Sequence, residues 1–184
     1  MSILIILSVC WFFSEIILSR LLRSPKGEDK DQQSLKYLWL TITIAVNAGV
    51  YIGVKRMGYI SYSSNLIQYI GLILIMIGLV IRWSAILTLK KYFTVNVAVS
   101  QGQKIIVSGL YHYIRHPAYL GSLLSFLGLG LAFSNWLSVL IIFLPVTTAF
   151  FKRINIEEKV LIDSFGQEYL NYIKRTKKII PGIY

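Results

Sequence analysis

Acidic residues are scarce in this 184-residue chain. Eight Asp and Glu stand against nineteen Lys and Arg, a formal charge of +11. Charge of either sign is thin at 15% of residues, where a soluble domain carries about 25%. With 55% apolar residues the chain is too hydrophobic to be disordered. One cysteine, Cys10, excludes a disulfide scaffold and reads as a small buried apolar residue. No internal repeat and no low-complexity linker is visible. No Lys or Arg precedes Arg20, so the N-terminal stretch lacks the basic region of a secretory signal. It is expected to be retained as a first helix.

Long apolar runs are abundant instead, and the mean hydropathy is +0.64. A membrane-spanning helix needs about 20 mostly apolar residues. The runs Ser2–Ser19, Tyr37–Val54 and Leu66–Leu89 fall in that class. Ala118–Phe133 and Trp136–Phe151 are shorter and separated by Ser134-Asn135, which reads as a tight helical hairpin. The expected fold is an all-α integral membrane protein with five transmembrane helices, the last two a hairpin. The expected unit is a single domain over 1–184, with three spans in 1–90.

Sixteen of the nineteen basic residues fall on one side of that arrangement, in the loops after the first and third runs and in the C-terminal tail. Lys55 and Arg56 face the other side, and Arg82 lies within the third run. By the positive-inside tendency the N-terminus is outside and the C-terminus cytoplasmic. Basic residues spread over a membrane face suit anionic lipid, so no nucleic-acid partner is expected. No metal site is expected either. The stretch Ser24–Ser34, with Pro25 and Gly27, reads as a polar loop.

Charge within a membrane is costly, so Glu15 and Arg82 are expected to snorkel, to pair, or to line a substrate chamber. Asn47, beside Ala48 and Gly49, is a candidate interhelical contact, and Gly71 and Gly78 are candidates for close helix packing.

Two polar clusters are more informative. The first, Tyr92–Tyr119, contains no acidic residue. Its alternating stretches suggest short extended segments. It ends in Tyr111-His112-Tyr113-Ile114-Arg115-His116-Pro117-Ala118-Tyr119. Pro117 fits the first turn of a helix, so His116 stands at a helix N-terminus, where backbone N–H groups favour an anion. The second cluster, Lys152–Lys159, places Arg153 and Glu157 on one helical face, with Glu158 expected to face water. Leu161, Phe165, Tyr169, Tyr172 and Ile173 then recur at helical spacing. They predict a cytoplasmic amphipathic helix lying on the membrane or capping a site, broken at Gly166.

Together these clusters resemble the isoprenylcysteine carboxyl methyltransferase family, especially its short prokaryotic members. The resemblance runs from Arg82 to Pro181. It rests on Ser108-Gly109-Leu110-Tyr111 with Arg115-His116-Pro117-x-Tyr119-Leu120-Gly121, on Arg153 with Glu157-Glu158 and Leu161, and on Phe165-Gly166-Gln167-Glu168-Tyr169 with Tyr172.

The resemblance implies a membrane methyltransferase using S-adenosylmethionine, held by residues 91–184 at the cytoplasmic face, probing a lipid-like or prenylated acceptor. It implies a prokaryotic cell membrane as location. It implies cofactor binding by Asn96, Gln103, Lys104, Ile105, Ile106, Tyr111, His116, Pro117, Ala118, Tyr119 and Glu157. Arg153 is then the acceptor-binding and catalytic residue beside Glu157. The family favours Gln where Asn96 stands and often His where Gln103 stands. A carboxylate acceptor needs no general base, only alignment with the methyl group, which a two-pronged Arg contact supplies.

Three rivals stay open. The acceptor could be a phospholipid amine or a quinone- or pyrone-like hydroxyl, calling on His112, Tyr111 or Glu158 as base. Membrane sterol reductases using NADPH also resemble the Arg-His-Pro-x-Tyr element. A non-enzymatic lipid-binding or assembly protein is the third.

Overall fold

The computed structural model describes residues 6, 11, 13–15, 17–18, 32–61, 64–99 and 102–182. Among these the fold is helical and holds no strand. The helices are α1 (Gln32–Val54), α2 (Ser64–Leu89), α3 (Pro117–Ala132), α4 (Trp136–Phe165) and α5 (Gln167–Arg175). Single 3₁₀ turns lie at Lys90–Tyr92 and Gly109–His112. The described residues of the first apolar run are helical as well. Cys10 lies outside the described residues, as does the polar stretch up to residue 31, while Gln32-Gln33-Ser34 open α1.

Three helices, over Gln33–Val54, Asn65–Tyr92 and Trp136–Phe165, are long and apolar enough to cross a membrane. α3 has 16 residues, a rise of roughly 24 Å against about 30 Å of hydrocarbon. It packs against both α2 and α4, and α1 packs along α4. The core lies between these helices, around Ile75, Phe126, Ile142, Val146 and Ile154.

Small residues set the α2–α3 contact. A Cβ at Gly78 would fall on the Gly121 carbonyl oxygen and Ser125, and one at Gly71 on Gly128 and Ala132. Close backbone approach of this kind replaces the hydrophobic drive that lipid cannot supply between helices. Gly78→Leu is therefore expected to lower stability by about 1–3 kcal/mol through overpacking. Thermal unfolding in detergent measures this, and an unchanged midpoint would deny the close contact.

α3 and α4 are joined by Phe133-Ser134-Asn135. The Asn135 side chain caps α4 by accepting from Ser138 N at 3.0 Å. Its amide donates to Met57 O at 2.7 Å, tying the turn to the end of α1. Ser138 Oγ donates to Gly49 O at 2.8 Å, a direct α4–α1 contact. Asn47 is not part of such a contact. Exposed, it donates to Thr43 O of its own helix at 2.7 Å.

Arg82 and Glu15 pair. Nε and Nη2 of Arg82 donate to the two carboxylate oxygens of Glu15, and Nη1 donates to Ser122 Oγ at 2.8 Å. The two-pronged geometry satisfies both charges inside the helix cluster.

Two expectations need correcting. The fifth run does not end at Phe151, because α4 continues as one 30-residue helix to Phe165. Lys152–Lys159 keeps a helical apolar face and lacks a breaker until Gly166, whose φ of +55° ends the helix. The extended segments expected between Tyr92 and Tyr119 form no strand among the described residues. There are only isolated bridges, Tyr59–Asn135 and Ile114–Lys177.

Candidate functional site

The polar residues converge where α2 ends, α3 begins and α4 runs past the apolar layer. After α2 the chain makes its 3₁₀ turn, and residues 93–99 and 102–108 hold no helix or strand, with a turn at Gly102 where φ is +69°. This course brings Asn96–Val99 and Gln103–Ile106 to one cleft. The start of α3 adds His116, Ala118 and Tyr119, and the turn before it adds Tyr111 and Arg115. α4 contributes Glu157, Val160, Leu161 and Phe165 from its last turns, and α5 contributes Tyr169 and Tyr172.

Asn96, Gln103, Lys104, Ile105, Ile106, Tyr111, His116, Ala118, Tyr119 and Glu157 thus share one cavity wall. Pro117 does not line it. This residue occupies the first turn of α3, fully buried, and sets that helix start.

Glu157 is the carboxylate among the lining residues. Tyr119 Oη donates to Glu157 Oε2 at 2.8 Å. Arg153 Nε in turn donates to Tyr119 Oη at 3.2 Å. The phenol accepts from one side and donates to the other, so the carboxylate orientation is fixed through a chain of three side chains.

Arg153 does not line the cavity. It is 2% exposed, and its remaining nitrogens are engaged. Nη1 donates to Ser34 Oγ of α1 at 2.9 Å, and Nη2 donates to Val95 O of the loop. The guanidinium therefore joins α1, the 93–99 loop and α3 from behind Tyr119. No ion pair between Arg153 and Glu157 is found among the described residues, despite their i,i+4 spacing.

Glu158 does not face water. It is 9% exposed, and Oε1 accepts from Arg115 Nε at 2.7 Å and lies 3.3 Å from His116 Nε2. Lys178 Nζ lies 3.0 Å from Oε2. The spacing of Glu158 and Lys159 could not show this, because the partners arrive from residues 115, 116 and 178.

Tyr111, His112 and Glu158 are not placed to take a proton from an acceptor. Burial pushes the Tyr111 phenol up, so it stays protonated. Burial likewise raises Tyr169 and Tyr172. Tyr172 Oη donates to Tyr111 O at 2.6 Å. His112 is exposed and borders a different surface groove, beside Ser84, Thr88 and Tyr113. Glu158 is spent on its cations.

Sequence reasoning missed Arg115, Tyr92, Thr94 and Val160 as cavity residues, and Ser34 as an Arg153 partner. Val160 and Leu161 follow Glu157 by three and four residues, which is a legible signal once α4 is seen to continue. Ser34 carried none.

The model of the isoprenylcysteine carboxyl methyltransferase family matches residues 70–163, half of the chain and most of the cavity wall. The chain belongs to this family. A probable protein-S-isoprenylcysteine O-methyltransferase of Oryza sativa subsp. indica is 34% identical over 119 residues, covering 64% of this chain and 62% of the relative. The protein-S-isoprenylcysteine O-methyltransferase of Xenopus laevis is 31% identical over 147 residues, covering 79% of this chain and 48% of the relative. The chain therefore spans about half to three fifths of the length of these curated family members. A solved structure of the eukaryotic intramembrane Ras methyltransferase ICMT superposes with a TM-score of 0.67 at 24% identity. It covers 96% of this chain and 64% of that one. The shared fold is that of an integral membrane family member, and α1–α4 supply its helical frame here.

Proposed function

We propose that this family member is an S-adenosylmethionine-dependent methyltransferase that esterifies the carboxylate of a lipid-like, prenylated acceptor. The observation that carries the reading is the one cavity lined together by residues 96–99, residues 103–106, the start of α3 and Glu157. Their chemistry suits the cofactor. A carboxylate, Glu157, suits its ribose hydroxyls or amino group. Tyrosine faces suit a sulfonium cation. Arg115 and His116 at a helix start suit its carboxylate. When bound, the cofactor supplies an activated methyl group.

The chain's own residues bind and align. Loop backbone at Gln103–Ile106 and side chains at Asn96 and Tyr111 hold the cofactor edge. Tyr119 orients Glu157. Arg153 sits one side chain away from the wall, and would receive an acceptor carboxylate were its contact with Val95 O exchanged for one. With Glu157 given to the cofactor, and Tyr111, His112 and Glu158 not placed to take a proton, a carboxylate acceptor is favoured over an amine or hydroxyl, since a carboxylate is already nucleophilic.

The five-span topology, with α3 and α4 as a crossing hairpin, belongs to the same proposal. So do an outside N-terminus, a cytoplasmic cavity, and residues 91–184 as the cofactor-binding part of one domain. The relatives are named for isoprenylcysteine in proteins, so a prenylated protein terminus stands beside a free prenylated molecule as acceptor.

Calorimetric titration of the full chain in nanodiscs with S-adenosylhomocysteine and, separately, NADPH tests the reading. Binding of the first alone is expected. Binding of NADPH alone would replace it with the reductase reading, and binding of neither to folded protein would remove an enzymatic role for the cavity.

A further inference from the structure

Residues 176–178, directly after α5, are tied down. Residues 176–178 run beside residues 113–116, just before α3. Lys177 N donates to Tyr113 O at 3.0 Å, Arg115 N to Lys177 O at 2.8 Å, and His116 N to Lys178 O at 3.1 Å. Ile114 and Lys177 form a parallel bridge.

Side chains fasten the same seam. Arg115 Nη1 donates to Thr176 O at 2.7 Å while its Nε holds Glu158. Lys178 Nζ reaches Glu158 Oε2 at 3.0 Å and donates to Asn155 Oδ1 at 3.0 Å. Glu158 therefore joins α4, the approach to α3 and the C-terminal segment at one buried point. A buried carboxylate so surrounded fixes geometry, because removing a partner leaves uncompensated charge.

The segment matters to the cavity because of what lies between it and α4. α5 supplies Tyr169 and Tyr172 to the cavity wall. It joins α4 at Gly166, whose φ is +55° and around which a Cβ would meet nothing within 4 Å. At that end α5 is held by an unpacked glycine joint, and at the other by the 113–116 seam. Tyr172 adds its bond to Tyr111 O.

We propose that Glu158 is a positioning residue which, through Arg115 and Lys178, fastens residues 176–178 beside residues 113–116. This keeps α5 closed over the cavity and sets how tightly the cofactor is retained. The proposal rests on the cofactor reading above. Cofactor exchange then requires the seam to part and α5 to turn about Gly166.

The test compares wild type, Lys178→Ala and Lys178→Arg as full chains in nanodiscs. S-adenosylhomocysteine affinity, amide exchange over residues 167–178, and kinetics with a prenylated cysteine acceptor are measured. Lys178→Ala is expected to weaken binding and raise KM for S-adenosylmethionine about tenfold, with kcat at saturation within about twofold. Exchange over α5 should accelerate, and Lys178→Arg should restore affinity. Unchanged affinity in folded Lys178→Ala would overturn the proposal. So would a fall in kcat with KM unchanged.

Wild-type exchange provides a second arm that needs no variant. Bound S-adenosylhomocysteine should slow exchange over residues 167–178, and no slowing at saturation would overturn the proposal. A wild type that binds no S-adenosylhomocysteine would instead overturn the cofactor reading on which it stands.

Discussion

Replacing Arg153 by Ala is expected to abolish measurable methyl transfer, a loss of about a hundredfold or more. The guanidinium is buried and donates to Ser34, Val95 O and Tyr119. Each buried partner left unsatisfied costs about 1–3 kcal/mol, and a loss of about 2.7 kcal/mol in transition-state stabilisation is a hundredfold in rate. Two routes to that loss act together. Tyr119 loses the donor that orients it toward Glu157, and an incoming carboxylate loses its guanidinium. Arg153→Lys should recover little, since one ammonium cannot reach three partners held in fixed directions. Because the loop at Val95 also loses its tether, cofactor affinity should fall, by less than turnover. Steady-state kinetics beside calorimetry separate the two effects. Equal losses in both would reduce Arg153 to a structural clamp.

Glu157→Ala should act on cofactor affinity first. Hydrogen bonds to a charged group contribute about 1.5–3 kcal/mol, so S-adenosylhomocysteine binding is expected to weaken about ten- to a hundredfold. Glu157 is half-buried on the cavity wall, and its removal leaves Tyr119 Oη to seek water rather than opening a core cavity. Stability should change little. Glu157→Gln keeps an acceptor for Tyr119 and is expected to fall between wild type and Glu157→Ala. Full affinity in Glu157→Ala would place the cofactor elsewhere.

Much of this arrangement could be read from the residues. The apolar runs gave α1 to α4 their centres, and Pro117 marked the start of α3 because its missing N–H is harmless there. Gly166 marked the break before α5 because a positive φ suits glycine. Gly71 and Gly78 were legible as packing positions because only small residues let two backbones meet. What escaped depended on contacts far apart in sequence. Glu158 looked solvent-facing beside Lys159, yet its partners lie 42, 43 and 20 residues away. Asn47 looked like an interhelical contact, but its own helix offered Thr43 O within reach. Arg153 shared a helical face with Glu157, yet the link between them is Tyr119, contributed by α3. Periodicity reports which face of a helix a residue occupies, and cannot report which other element meets that face.

The reaction proposed for this chain is methyl transfer to a carboxylate. It is measured most directly with the purified 184-residue chain, methyl-labelled S-adenosylmethionine and two prenylated cysteines, one with a free carboxylate and one with that group amidated. A base-labile methyl ester on the first and no label on the second is the result expected of transfer to a carboxylate. Label on the amidated compound, or none on either while S-adenosylhomocysteine binds, would contradict it.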